Sequence, residues 1–224
     1  SDTVTNITAN NVYDINRLAI SNAFEAGKSL TLGLDYKFDK QENDLSEGDK
    51  DKYFEVKLAT VVRDRFENDI PISSTINKKK SDIFGSINNR LFNNFNLVYD
   101  FSLDNDLKTI NSSAVSTEFS INNFVTSFNY IEKRHEIGST HVLSNNTEYT
   151  INDNTSLKFS TRRNKEINLT EYYDLSYEYR NDCLTAALKF KKSFYQDDDL
   201  KPTQDLFFSI TLFPLATYET GIKK

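Results

Sequence analysis

Three groups of residues in the sequence carry side chains able to do chemistry. Cys183 is the single cysteine of the chain. An odd cysteine in an exported chain points to a disulfide with something outside the segment. A free or buried thiol is the alternative, and the sequence alone leaves both open. His135, Ser139 and His141 lie close together, with Glu132 and Glu136 beside them. Serine and histidine would form a nucleophile with its base; two histidines and a glutamate would hold a metal. The cluster matches no recognised motif and falls on an expected loop, which favours a solvated loop over either site. Asp197, Asp198 and Asp199 form the third group. Carboxylates suit Ca²⁺ or Mg²⁺, but the run lacks the interleaved spacing and glycine of an EF-hand, so a charged loop is the default. There is no glycine-rich phosphate cradle, nucleotide motif or cofactor box, so no cofactor is expected.

Composition narrows the setting for these residues. The chain has 224 residues and a formal net charge of −6. The mild acidity and the lack of a basic stripe argue against nucleic acid as a partner; the Lys78 to Lys80 run reads as a solvated loop. The sequence starts at Ser1 and has no methionine, so the expectation is a processed form or a piece of a longer chain. No run of about 18 apolar residues exists, which excludes a transmembrane helix. Hydrophobic residues make up only 38%, yet aromatics reach 13%, all Tyr and Phe. Disordered chains are poor in aromatic and β-branched residues. A membrane β-barrel explains both halves: aromatics face lipid, and Asn, Ser, Thr and charges face water inside.

The elements that must position these groups are strands. Leu30, Leu32, Leu34, Tyr36 and Phe38 alternate with Thr31, Gly33, Asp35 and Lys37, the period of a strand with two unlike sides. The same pattern recurs from Phe54, Ile83, Phe95, Val115, Phe124, Leu143, Leu157, Leu169, Cys183 and Leu206. In the Cys183 strand, Leu184, Ala186, Leu188, Phe190 and Phe194 oppose Cys183, Thr185, Lys189 and Lys191. Asn122-Asn123, Asn152 to Asn154 and Asn181-Asp182 read as tight turns, since asparagine tolerates positive φ. About eleven strands result, of bilayer-crossing length, and essentially no helix. Short turns largely alternate with longer loops, except near the N-terminus. Bacterial single-chain barrels have even strand numbers, so either Asn16 to Glu25 supplies a twelfth strand or the chain is part of a larger barrel.

Several stretches resemble the LptD family of lipopolysaccharide-assembly proteins. The clearest is Tyr177 to Phe213: a tyrosine strand, Asn181-Asp182-Cys183, a small-residue strand, Phe194-Tyr195, an acidic loop, Pro202 and a final FFSITL strand running into Leu212-Phe213-Pro214-Leu215. The second is Asn16-Arg17, then Glu25-Ala26-Gly27 and Leu32-Gly33-Leu34-Asp35-Tyr36. The third is Ser81-Asp82-Ile83-Phe84-Gly85. The resemblance implies an all-β, antiparallel transmembrane β-barrel of about 11 to 12 strands here. Residues 1–224 would be the C-terminal portion of a larger outer-membrane barrel, with the family's periplasmic jellyroll outside this segment.

The resemblance further implies lipopolysaccharide transport and insertion into the outer leaflet of the Gram-negative outer membrane. Implied partners are lipopolysaccharide, an LptE-like lipoprotein plug, the periplasmic bridge proteins and outer-membrane lipid. It tips Cys183 towards a disulfide with the jellyroll. Family members often have two adjacent cysteines at this turn, whereas Leu184 follows Cys183 here, so at most one disulfide can start from it. It makes the last strand, Leu206, Phe207, Phe208, Ser209, Ile210, Thr211, Leu212 and Phe213, one lip of a lateral gate. Pro214 removes a ladder donor and should weaken pairing at that end. The Asp197 to Asp199 loop, if outside the cell, would order divalent ions among lipopolysaccharide phosphates. No enzymatic step is expected. The rivals are another outer-membrane barrel (a porin-like channel or receptor), a lipid-modifying enzyme using His135 and His141, and a soluble β-sandwich.

Overall fold

The structure, a computed structural model, describes residues 7–18, 25–40, 52–134, 139–195, 201–213 and 216–223. Twelve strands form one antiparallel sheet whose order follows the chain: β1 (Ser29–Asp39), β2 (Tyr53–Arg63), β3 (Ile83–Phe92), β4 (Phe95–Leu103), β5 (Ile110–Ile121), β6 (Phe124–Arg134), β7 (Ser139–Asn152), β8 (Thr155–Asn164), β9 (Leu169–Arg180), β10 (Leu184–Ser193), β11 (Thr203–Leu212) and β12 (Ala216–Lys223). Among the described residues the only helical element is one 3₁₀ turn, Ile72–Ser74. The expected all-β class is therefore correct.

The chain divides into two compact units, residues 1–115 with 131–139 and residues 116–130 with 140–224. In the first unit, register aligns the apolar residues of neighbouring strands into rows. Leu34 faces Leu58, which faces Gly85, which faces Phe101; Tyr36, Val56, Ile87 and Tyr99 form the next row. A one-residue slip would invert every side chain, so these rows pin the register. Gly85 is a close-approach position: a Cβ there would run into the Phe101 ring. The aromatic ring covers the gap that glycine leaves.

The opposite face of the same strands carries the buried core. Ile7, Ala9, Val12 and Leu18 from the N-terminal segment, with Ile70 and Ile76 from the β2–β3 connection, pack with Ala59, Val61 and Phe84. Two connecting segments thus lie on the polar face of the sheet and bury apolar surface against its small positions, while Leu30, Leu32 and Leu34 remain exposed on the other side.

In the second unit the apolar rows are longer. Tyr149, Leu157, Tyr177, Leu188 and Phe208 align across β7 to β11, and Phe159, Leu175, Phe190, Leu206 and Ile222 align across β8 to β12. Cross-strand aromatic and aliphatic pairs of this type each contribute roughly 0.2–1 kcal/mol. The stacked Phe159 and Tyr173 rings, with centroids 6.4 Å apart, continue the same surface.

Two expectations about strands need correction. The twelfth strand is Ala216–Lys223, at the far end of the chain from Asn16 to Glu25. The described part of that earlier segment, up to Leu18, is a series of turns, and residues 19–24 lie outside the described residues. Only Tyr218 and Ile222 are large apolar residues on the apolar face of β12, so its alternation is faint in the sequence. Leu206 to Phe213 is accordingly not the last strand. β11 is paired along its length with β10 and β12, and Leu212 pairs with both Leu184 and Ala216. Both ladders run as far as Leu212; Pro214, where weak pairing was expected, lies outside the described residues.

Candidate functional site

On the polar face of the first unit, two arginines converge on one carboxylate. Arg17 Nε donates to Glu25 Oε2 at 2.6 Å and Arg17 Nη2 to Glu25 Oε1 at 2.5 Å. Arg17 also donates to the Val12 carbonyl at 3.0 Å, Thr31 Oγ1 at 3.0 Å and Ser29 Oγ at 3.1 Å. Arg63 reaches the same Glu25 Oε1. It also donates to the Ile76 carbonyl at 2.5 Å and the Ala26 carbonyl at 2.9 Å. Arg17 is 6% and Arg63 4% exposed. Burial pushes the Arg17 guanidinium down from its ordinary value; the paired carboxylate offsets that cost. The knot joins the N-terminal segment, β1, β2 and the β2–β3 connection.

Close approaches complete this seat. Gly27 adopts φ +80°, with the Glu67 carboxylate where a Cβ would stand. At Gly33 the Tyr13 hydroxyl occupies the Cβ position. A second buried polar group sits where β3 begins. Asp82 Oδ2 accepts from Ser102 Oγ at 2.6 Å and from Asn111 Nδ2 at 2.7 Å, and Ser81 Oγ accepts from the Val61 N–H at 2.9 Å. The Ser-Asp pair thus ties the end of the long connection to β2, β4 and β5, and β3 starts at Ile83 as expected.

The polar face of the second unit is charged and balanced. Lys158 pairs with Glu148 at 3.4 Å and Lys189 with Asp174 at 3.1 Å. Together with Ser127, Asn146, Ser160 and Ser176 they line a shallow depression. Such a surface presents hydrogen-bonding groups to water or to a polar ligand.

Of the residues singled out for chemistry, only some fall among the described ones. His135 and Glu136 lie outside the described residues, as do Asp197 to Asp199 and the Ser139 side chain. Glu132 accepts from Arg134 at 3.3 Å. His141 Nε2 shares a hydrogen bond with the Tyr130 hydroxyl at 2.9 Å, and the rings meet edge to face. Among the described residues there is no group of three or more His, Cys, Asp or Glu able to hold a metal.

Cys183 occupies the β9–β10 turn rather than the strand it was expected to open. It is exposed and free. Asn181 Oδ1 accepts from the Cys183 N–H at 3.1 Å and the Leu184 N–H at 2.8 Å, and the Cys183 carbonyl accepts from the Phe213 N–H. The asparagine side chain makes a three-residue turn where a two-residue one was expected. The thiol stands at the end of the sheet that carries the short turns, with no partner within the described residues.

Sequence reasoning did not assign a role to Arg17, Glu25 or Arg63. The signal was present, since Asn16-Arg17 and Glu25-Ala26-Gly27 both belonged to the second resembling stretch.

Residues 2–155 match the model of the LptD family, LPS transport system D. The chain belongs to this family. The match covers the Arg17–Glu25 knot and the Ser81–Gly85 strand start, two of the three resembling stretches; the Tyr177 to Phe213 stretch lies beyond it. Its role is in lipopolysaccharide transport, and the LptD family is one of outer-membrane transport and assembly proteins. A comparison with curated proteins gives no match.

Proposed function

We propose that this chain forms the C-terminal portion of an LptD-type outer-membrane barrel that inserts lipopolysaccharide into the outer leaflet, without catalysing a reaction. The observation that carries this reading is the pairing of the family match with two chemically opposite faces. Continuous apolar rows run along one side and charged, hydroxyl-bearing residues along the other. A transported amphiphile needs both: an outer surface that lipid wets and an inner one that water and sugar wet.

Under this reading β1 and β12, the two ends of the strand order, pair with strands or a seam belonging to the rest of the protein. The seam edge falls on β12, and Leu206 to Phe213 acts as the strand that supports it. The polar face with its Arg17–Glu25–Arg63 knot meets the lumen, where an LptE-like lipoprotein would sit. Periplasmic bridge proteins would feed lipopolysaccharide through a jellyroll that Cys183 tethers by a disulfide.

The test is photo-crosslinking from the polar face. A crosslinker at Ser176 in the full-length protein in cells should capture lipopolysaccharide. The same protein in planar bilayers should show no steady ion conductance while its lipoprotein partner is bound. Steady conductance with no lipopolysaccharide adduct would replace the reading with a porin-like channel.

A further inference from the structure

The apolar face of the second unit has basic exceptions, and they gather at one end. Along β10 the residues sharing that face are Leu184, Ala186, Leu188, Phe190 and then Lys192. Along β8 they are Leu157, Phe159, Thr161 and then Arg163. Both basic residues follow the apolar run at the end where β8–β9 and β10–β11 connect, opposite the tight turns. Lys165, in the β8–β9 connection, lies 5.8 Å from the centroid of the Tyr130 ring. Thr126 shares a 2.8 Å hydrogen bond with Thr147 of the apolar face, which puts Tyr130, four residues along β6, on that face too.

Aromatic rings lie beside Lys165 and Lys192. Lys192 Nζ is 5.1 Å from the Phe194 centroid, Phe194 meets Tyr173 edge to face at 6.0 Å, and Tyr173 stacks on Phe159. Arg163 Nη2 donates to the neutral Asn168 Oδ1 at 2.5 Å. Arg163, Lys165 and Lys192 form no ion pair with a carboxylate among the described residues. Cations above an aromatic belt place positive charge at the height of lipid headgroups, where long basic side chains extend from the apolar zone. Longer connections mark the outer side of such barrels, so the headgroups are those of the outer leaflet.

We propose that Arg163, Lys165 and Lys192 form a docking surface for the phosphate groups of a phosphorylated glycolipid on the lipid-facing side of the sheet, two to four strands from the β12 edge. The inference rests on the transport reading for its membrane orientation. It adds a place where the delivered lipid's phosphates are held after release. Three cations without carboxylate partners among the described residues match the multiple negative charges of such a headgroup. The aromatic rings beside them match the acyl chains below.

The experiment uses the full-length protein purified in detergent, with native mass spectrometry reading bound lipid. The probes are phosphorylated lipopolysaccharide, the same lipid after phosphatase treatment, phosphatidylglycerol and inorganic phosphate. The triple variant R163Q/K165Q/K192Q should bind phosphorylated lipopolysaccharide on the order of a hundredfold more weakly than the native protein. Native protein should lose the same factor on the dephosphorylated lipid. Unchanged binding by a folded triple variant overturns the proposal. So does equal competition by phosphatidylglycerol or inorganic phosphate, which would show a nonspecific anion surface. Gel mobility of the unheated variant verifies folding, and K192Q alone, at one partly exposed position, provides a milder second variant. The Ser176 crosslink separates the two readings: if it persists while docking fails, transport stands and only the docking surface falls.

Discussion

Arg17 and Glu25 form a two-pronged ion pair on the polar face of β1, with Nε 2.6 Å from Oε2 and Nη2 2.5 Å from Oε1. The pair fastens a segment of turns to the sheet. Replacing Glu25 by Ala leaves two largely buried guanidiniums facing each other without a carboxylate. Breaking a buried pair from one side costs about 3–5 kcal/mol. The cost should appear locally, as loss of the seat of residues 7–18, because the strands keep their own ladders. Limited trypsin digestion in detergent should cut E25A after Arg17 much faster than the native protein. Equal protection of both would show that the apolar contacts of Val12 and Leu18 hold the segment alone.

Gly33 makes room for Tyr13 on the same face. A Cβ at Gly33 would run into the Tyr13 hydroxyl, so Gly33→Ala must displace the ring. Overpacking of this kind typically costs about 1–3 kcal/mol. Tyr13→Ala should relieve it. In a double-mutant cycle followed by thermal unfolding, the two changes should couple by at least about 1 kcal/mol. Additive effects would mean that Tyr13 does not rest on Gly33.

These contacts also show where sequence reading reached its limit. Strand alternation is a local signal, and residues such as Leu30 to Phe38 or Tyr173 to Tyr179 display it without knowledge of their neighbours. The turns at Asn122-Asn123 and Asn152 to Asn154 were equally legible, because asparagine reports a local backbone need. The seat of Ile7, Val12 and Leu18 depends on Ala59, Val61 and Phe84, which are far away in sequence, so the local pattern there gives no sign of it. β12 failed for the opposite reason: Thr220 interrupts its apolar face, which leaves only Tyr218 and Ile222 as large apolar residues, and its identity comes from its ladder with β11. Of the candidate site residues, His141 was visible as chemistry, but its partner Tyr130 lies on another strand. That pairing makes the histidine a hydrogen-bond and ring partner of Tyr130.

The two faces of β11 should respond oppositely to the same substitution. Phe208 lies in the row with Leu188 and Tyr177, while Ser209 faces Ala187 and Glu219 on the polar side. Phe208→Arg should cost about 2–4 kcal/mol, as for a cation on the lipid face of a barrel. Ser209→Arg should cost well under half of that, since Glu219 and water receive the guanidinium. Unfolding in detergent or liposomes measures both. Equal penalties would contradict the assignment of the apolar face to lipid.

Cys183 offers a test of how this part of the chain is held to the rest of the protein. The thiol is exposed on a turn whose backbone is fixed by Asn181, so it can react without unfolding. If a disulfide tethers it, full-length protein taken from the cell envelope should resist maleimide until reductant is added. Cys183→Ser should then change the mobility of the unreduced protein. Asn181→Ala removes the acceptor of two N–H groups and should cost about 1 kcal/mol. It would also misplace the thiol, so oxidation should slow while the reduced protein still inserts. Complete maleimide labelling without reductant would rule out the tether and leave Cys183 a free surface thiol at the short-turn end of the sheet.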